Sequence, residues 1–588
     1  MAEKPTQKNR ELAIETPLGE DALLLISVSG TEQLGRPFEY HLELASENHQ
    51  IKATDIVGQN VTIRLDLLAG GTRYFNGHIS RFTQLTTAGQ LARYRATVVP
   101  WLWFLSRTAI CRIFQEKTVP DMIKQIFRDR GFTNFEDGLS GSYRTWEYCA
   151  QYRETDFNFV SRLMEQEGIY YYFKHENGKH SLVLADSYSA HESYPEFKQL
   201  KYQPADRGTA AEEYVSDWIV ETSLQPGSYA LNDFDFKNTQ KDLLARAKVG
   251  REHTAADFEM YDYPGDYTET GDGEEYAKKR IQELQAGYEV ATAQSNARGI
   301  CTGFTVSLTD HPHKDQNREY LITSANYTIK GDEVFSASAA GGECIYSCGF
   351  TAIESQQPFR SPRITPKPST SGPQTAIVVG PSGEEIYTDK YGRVKVKFHW
   401  DRDSKADENS SCWIRVAQVW AGKNWGTMFI PRIGQEVIVE FLEGNPDQPI
   451  ITGRVYNAQV MPPYDPKKNP TMSTLKSNSS KGGGFNEIRF EDKKGEEQIY
   501  VHAEKNLDIR IKNDRFETVG NNRHLHVEKD KFEHVDNNRN ETVDADHREE
   551  IGKDRHVEVK GKEAKQIGKS LSLTVKGDVI EVFKAGHS

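Results

Sequence analysis

Residues 499–586 read IYVHAEKN LDIRIKND RFETVGNN RHLHVEKD KFEHVDNN RNETVDAD HREEIGKD RHVEVKGK EAKQIGKS LSLTVKGD VIEVFKAG, eleven consecutive blocks of eight. The fifth position is always apolar: Ala503, Ile511, Val519, Val527, Val535, Val543, Ile551, Val559, Ile567, Val575 and Phe583. Most of these are β-branched, which favours a strand. The eighth position is mostly Asn or Asp, as at Asn506, Asp514, Asn522, Asp530, Asn538, Asp546, Asp554 and Asp578, which favours a turn. A period of eight fits neither a heptad coiled coil nor the helical solenoids. Each block reads as a short strand and a turn.

One such chain cannot bury enough. It offers a single dependable apolar residue per block, because the third position alternates between apolar residues (Val501, Ile509, Leu525, Val557, Leu573) and carboxylates (Glu517, Glu533, Glu541, Glu549, Glu581). Of the 88 residues, 18 are acidic and 17 basic. Ordering costs roughly 1–2 kcal/mol per residue, more than this pattern returns to a lone chain. A disordered charged tail would account for the charge but not for the recurrence. Several identical chains wound together would meet along an apolar axis and show their charges to water. Three chains form a triangular prism with no long open edge. The predicted axis is Ile511, Val519, Val527, Val535, Val543, Ile551, Val559, Ile567, Val575 and Phe583.

The rest of the 588-residue chain has room for several domains. A net charge of −13 argues against a nucleic-acid partner. Six cysteines, only Cys344 and Cys348 close together, form no zinc pattern and read as thiols in a reducing cytoplasm. The polar N-terminus MAEKPTQKNRELAIETP has no secretory signal, and no stretch approaches the roughly 20 apolar residues of a membrane span. The expectation is assembly in the cytoplasm, with export by a machine.

Taken in order, residues 1–100 alternate as half-buried strands punctuated by Gly30, Gly35, Gly58, Gly70, Gly71, Gly77 and Gly89, predicting a small barrel or sandwich. Thr118 N-caps a helix closing at Gly131; a second runs from near Thr155 to Gly168; a third is expected over Glu274–Ala293. Asn177-Gly178 turns a hairpin. PFRSPRITPKPSTSGP, residues 358–373, is an extended linker. Residues 374–456 alternate again: Val394, Val396, Phe398 and Trp400 against Lys395, Lys397 and His399. With CWIRVAQVW, MFIPRIGQEVIVEF and IITGRVY as further strands, this is an OB-type barrel. Residues 457–498 form a neck. The domains are thus 1–357 (hub, β-barrels with helical insertions), 358–373, 374–456, 457–498 and 499–588.

Catalytic and metal motifs are missing. No HExxH, GxSxG elbow or P-loop occurs. His175 and His180 lie across a hairpin turn, Asp401–Asp407 has Lys and Ala where a calcium loop needs a ligand and Gly, and His311-Pro-His313 reads as a turn. The block histidines His502, His524, His526, His534, His547 and His556 mostly avoid the core position and read as surface. Trp413, Trp420 and Trp425 read as packing residues rather than a stacking surface for ligands. No catalytic site, cofactor or metal is predicted.

Long stretches resemble a known family. LGRPFEYHLELAS, RYFNGHISRF, VVPWLWFLSRT, CAQYRETDFNFVSRLMEQEGIYYYF, FRSPRITPKP, YGRVKVKFHWDRD, CWIRVAQVWAGKNWG, PRIGQEVIVEFLEGNPDQPIITGRVYN and SSKGGGFNEIRFEDKKGEEQIYVHAEKN are similar, in order, to VgrG, the trimeric spike proteins of type VI secretion systems. The resemblance implies a mainly β fold with some helices: phage-hub-like β-barrels, an OB-fold barrel and a C-terminal intertwined triple-stranded β-helix, as a homotrimer. Two related barrels per chain would present six to the sixfold ring of an Hcp-like tube. The resemblance further implies baseplate contacts, a PAAR-repeat tip protein, effectors as cargo and a target membrane met mechanically. Val460–Gln498 is too short for an inserted lysozyme domain, and only His587 and Ser588 follow the last block, so a non-enzymatic member is expected. The other readings are a phage-tail or tailocin spike, and a spike-borne hydrolase of cell-wall glycan with paired carboxylates in a groove.

Overall fold

The computed structural model describes residues 5–86, 91–195, 197–204, 206, 212–331 and 344–585. Gly89 and the terminal Gly586-His587-Ser588 lie outside them. The chain forms two units, Met1–Glu504 and Lys505–Ser588.

The first unit is built around one twelve-stranded sheet in two halves. Six strands, Leu12–Glu15, Leu24–Gln33, Arg36–Ser46, Asn60–Asp66, Thr72–Gln84 and Ala92–Val99, make the first half. Their alternating apolar residues, such as Val61, Ile63 and Leu65, are buried, as period-two patterning requires. Leu12–Glu15 and Leu24–Gln33 do not pair. The side-chain amide of Gln7 lies between them instead. Its Nε2 donates to the carbonyls of Ile14 (2.7 Å) and Leu23 (3.1 Å), while its Oε1 accepts from the N–H of Ile14 (3.1 Å) and Leu25 (3.4 Å).

The second half closes on itself. Glu319–Lys330 pairs with Thr305–Thr309, then the order runs through Gln199–Tyr202, Tyr214–Thr222, Glu289–Ser295 and Ile345–Glu354 back to Glu319–Lys330. This is a complete six-stranded barrel. The halves are joined where Leu24–Gln33 pairs with Glu319–Lys330. The predicted barrel or sandwich of residues 1–100 is therefore not free-standing: its edge is covered by a strand some 300 residues away, a pairing that local pattern does not encode.

A buried polar cluster sits at this seam. The Arg73 guanidinium donates to the Arg298 carbonyl (2.7 Å) and the Tyr327 hydroxyl (2.9 Å) and lies 3.9 Å from Glu32. The hydroxyls of Tyr40 (2.7 Å) and Tyr327 (3.0 Å) donate to Glu32.

The helices follow their caps. α1 is Val119–Asp129; Thr118 Oγ1 accepts from the Asp121 N–H, and Gly131 takes φ 81°. Gly131 N–H donates to Arg128 O and Phe132 N–H to Phe127 O, a Schellman ending. α2 is Asp156–Glu167, capped by Thr155 and ended by Gly168 at φ 70°. Tyr170–Glu176 and Lys179–Ala185 form the predicted hairpin, with Glu176 opposite Lys179. α3 differs from expectation: it spans Thr270–Gln285, not Glu274–Ala293. Gly287 follows its end, and residues 289–295, alternating around buried Ala291 and Ala293, are needed as a barrel strand.

The proline-rich segment 358–373 has no helix or strand, but it is strapped down. Arg360 donates to the carbonyls of Gly168 and Asp186 (2.7 Å each), Thr365 N–H to Glu165 (2.9 Å), and Lys367 Nζ lies 2.9 Å from Asp266. It leads into five strands, Gln374–Val379, Lys395–Phe398, Arg415–Val416, Glu436–Phe441 and Pro449–Val455. A Val394–Ile414 bridge closes them into a barrel over Val378, Val396, Phe398, Val437, Val439 and Ile451. The stretches around CWIRVAQVW and MFIPRIGQEVIVEF contribute less strand than predicted, only Arg415–Val416 and Glu436–Phe441. Between them the chain makes a small hairpin, Ala421–Gly422 against Trp425–Gly426. In the neck, Met472–Lys476, Glu487–Glu491 and Gln498–His502 form a three-stranded meander, so the first eight-residue block begins inside a local sheet.

Candidate functional site: the eight-residue repeat

Residues 505–585 form no helix and no strand pairing within the chain. Bends recur at 512–513, 520–521, 528–529, 536–537 and so on to 584–585, always at positions six and seven of a block. The turn thus falls one or two residues before the predicted eighth position, helped by Gly520, Gly552, Gly561, Gly568 and Gly577. The period of the conformation equals the period of the sequence.

Each position has its own exposure. Nine of the ten predicted axis residues, Ile511, Val519, Val527, Val535, Val543, Ile551, Val559, Ile567 and Val575, lie between 43 % and 48 % exposed; Phe583 is 58 % exposed. Phe516 and Phe532, at position two, are 91 % and 92 % exposed. In an extended chain positions one, three and five share a face and positions two and four the other. The ion pairs agree with that alternation. Arg515 lies 2.8 Å from Glu517, Lys531 2.7 Å from Glu533 and Arg539 3.0 Å from Glu541, each from position one to position three.

These pairs extend from block to block. Glu517 also meets Arg523 (3.1 Å), Glu533 meets Arg539 (3.9 Å), Glu541 meets His547 (3.9 Å) and Glu549 meets Arg555 (3.4 Å). Lys531, with Arg539 behind it, holds the Glu533 carboxyl below its ordinary range. Glu517, Glu533, Glu541 and Glu549, which break the apolar stripe at the third position, are rungs of a charge ladder interrupted by Leu525. The signal was present: bases at position one facing acids at position three. Exposed pairs of this kind are screened by solvent and add little each.

The His175 Nδ1 accepts from the Asn76 N–H (3.0 Å); the His180 Nε2 accepts from the Trp101 N–H (2.9 Å), and its Nδ1 faces Asn76 Oδ1 at 2.8 Å. Burial pushes His175 down to about 4 and His180 well below the usual histidine value. Among the described residues no cluster of His, Cys, Asp or Glu is placed to hold a metal ion. A cleft of about 240 Å³ between α2, α3 and the strap includes Glu165 and Asp266. Both are occupied, Glu165 by Arg36 and Thr365, Asp266 by Lys367 and Asn445. Trp413 packs on Tyr387 (4.8 Å) while Trp420 and Trp425 pack edge-to-face on each other (4.8 Å), so the three do not form one stacking surface. Among the described residues no helix is long and apolar enough to cross a membrane.

Three family models match in chain order: the phage tail baseplate hub over residues 31–333, the type VI secretion system/phage-baseplate injector OB domain over 377–456, and the bacteriophage T4 gp5 C-terminal trimerisation domain over 473–582. The type VI secretion system spike protein VgrG1b of Pseudomonas aeruginosa is 51% identical over 88% of this chain and 70% of its own. The chain belongs to the VgrG family of type VI secretion system spike proteins. Another VgrG relative, the actin cross-linking toxin VgrG1 of Vibrio cholerae, is 35% identical over 85% of this chain but only 46% of its own. A solved E. coli structure, described as a type VI secretion component similar to T4 tail proteins gp27 and gp5, superimposes with a TM-score of 0.55. It covers 75% of this chain and 99% of its own at 22% identity, and it supports the fold. As a VgrG protein the chain is a structural spike, mainly β, with a hub barrel, an OB-fold barrel and a gp5-type C-terminal domain. The spike names of these relatives do not favour the phage-tail or glycan-hydrolase reading.

Proposed function

We propose that three copies wind residues 499–588 into one shaft, with Ile511, Val519, Val527, Val535, Val543, Ile551, Val559, Ile567, Val575 and Phe583 on the axis. The carrying observation is the single-chain geometry. From Ile511 to Phe583 position five stays about half-exposed, while residues 505–585 make no strand pairing of their own. Buried backbone groups need partners, and a neighbouring copy with the same period supplies them at every level. Interchain hydrogen bonds along the whole length must then break together for the shaft to buckle, which suits a part that is driven end-on through a membrane.

In this reading residues 1–357 are the hub, docked on an Hcp-like hexameric tube and surrounding baseplate components. Residues 358–373 are the strap, 374–456 the OB barrel, 457–498 the neck and 499–588 the needle. The tip takes a PAAR-repeat protein and effectors, contraction exports the assembly from the cytoplasm, and the chain itself catalyses nothing. Complementation tests it. In a bacterium whose own spike gene is deleted, the wild-type chain restores release of tube protein into the medium, and a Val543→Asp variant expressed at the same level does not. Equal release by both would sink the axis assignment.

A further inference from the structure

The OB barrel leaves an apolar face uncovered. It is centred on the small hairpin whose two-residue turn is Lys423-Asn424, with Asn424 in the left-handed region at φ 63°. Val419 is 91 % exposed, Met428 78 %, Trp420 62 % and Trp425 56 %. A solvated hairpin does not ordinarily carry four such side chains together. Lys423 is the one charged residue between Val419 and Phe429. That composition is nearer to an obligate interface than to a transient one.

The face is held in shape before it meets anything. The Phe429 N–H donates to Gln418 Oε1 (3.0 Å), Thr427 N–H to the Trp420 carbonyl (2.9 Å), and Arg454 reaches the Phe429 carbonyl. Arg454 also gives it a direction. The same strand ends at exposed Val455, and exposed Tyr456 follows it toward the neck. There the meander exposes Phe490, Ile499 and Val501, inside the region matching the trimerisation-domain model. The hairpin and the meander belong to one compact unit, and both carry exposed apolar side chains.

We infer that this hairpin face docks on the OB barrel of a second copy of the chain, forming an apolar collar of barrels. The inference rests on the trimer proposed above and adds a contact to it. The collar gives the trimer a second hold independent of position five. The turn lysine remains at the rim, where its charge stays solvated.

The test uses the full chain and a Val419→Lys/Met428→Lys double variant. Both side chains are mostly solvent-exposed in the single chain, so the monomer fold is expected to survive, with near-UV circular dichroism as the check. Sedimentation velocity across a dilution series should show the dissociation constant of the trimer raised by roughly a hundredfold or more. In the wild type, acrylamide should quench a smaller share of tryptophan emission in the trimer than in the diluted monomer, because Trp420 and Trp425 are covered. A wild type that never forms a trimer overturns the proposed assembly itself. A wild-type trimer with unchanged quenching, and a double variant that dissociates no more readily, leaves that assembly standing and overturns the collar.

Discussion

Val535→Asp places a carboxylate at the fifth position in the middle of the repeat. Val535 keeps 47 % of its surface in the single chain, so about half of its side chain is left for the neighbours to cover. Covering that half is worth roughly 1 kcal/mol per chain, from the 1.5–3 kcal/mol of a fully buried apolar side chain. An unpaired buried carboxylate costs several kcal/mol more. Threefold symmetry repeats both losses at one level, for a total on the order of 10 kcal/mol, comparable with the whole of a micromolar association. The variant should therefore sediment as monomer at concentrations where the wild type is trimeric. Lowering the pH should bring the trimer back. A buried carboxyl has its pKa raised in the assembled state, so the penalty is present above that value and relieved as pH falls through it. Phe532→Asp is the control, because Phe532 is 92 % exposed on the opposite face and should change little. If Val535→Asp leaves the trimer intact while Phe532→Asp breaks it, the two faces have been assigned the wrong way round.

Three further outcomes follow from the hub. Gln7→Ala should destabilise it by about 2–5 kcal/mol in urea unfolding, because the strand groups bound by the amide are left without partners at roughly 1–3 kcal/mol each; a loss under 1 kcal/mol would mean water replaces it freely. Arg73→Met should cost about 3–5 kcal/mol by stranding Glu32 at the seam, and Arg73→Met with Glu32→Gln should recover part of that. Hub stability should also fall on acidification. His175 and His180 are held neutral below their unfolded value of about 6.5, so the unfolded chain takes up protons first. Stability present above pH ~6.5 is lost downward toward pH ~4 at up to about 1.4 kcal/mol per pH unit for each histidine, and a flat profile in a urea series over that range would contradict the assignment.

Much of this architecture is written locally. Period eight was visible in Val519, Val527, Val535 and Val543, and the helix ends in Thr118, Gly131, Thr155 and Gly168, because a β-branched recurrence or a cap acts within a few residues. What local pattern missed is long-range. Nothing around residues 24–33 announces a partner at 319–330, and Glu289–Ala293 reads as the end of a helix because its alanines suit either element. The strap reads only as an extended linker because the groups that bind it, Glu165, Gly168, Asp186 and Asp266, lie elsewhere in the chain. The charge ladder was legible but overlooked: the third-position glutamates make sense only once their first-position partners are in place.

The central claim, that the repeat is a shaft made by three copies, is tested most directly by the mass of the intact protein in solution. Each chain is 66.8 kDa. Sedimentation equilibrium over a range of micromolar concentrations should give one species of about three times that mass, near 200 kDa. A species that stays at the mass of one chain throughout, or one that settles at two, would contradict it.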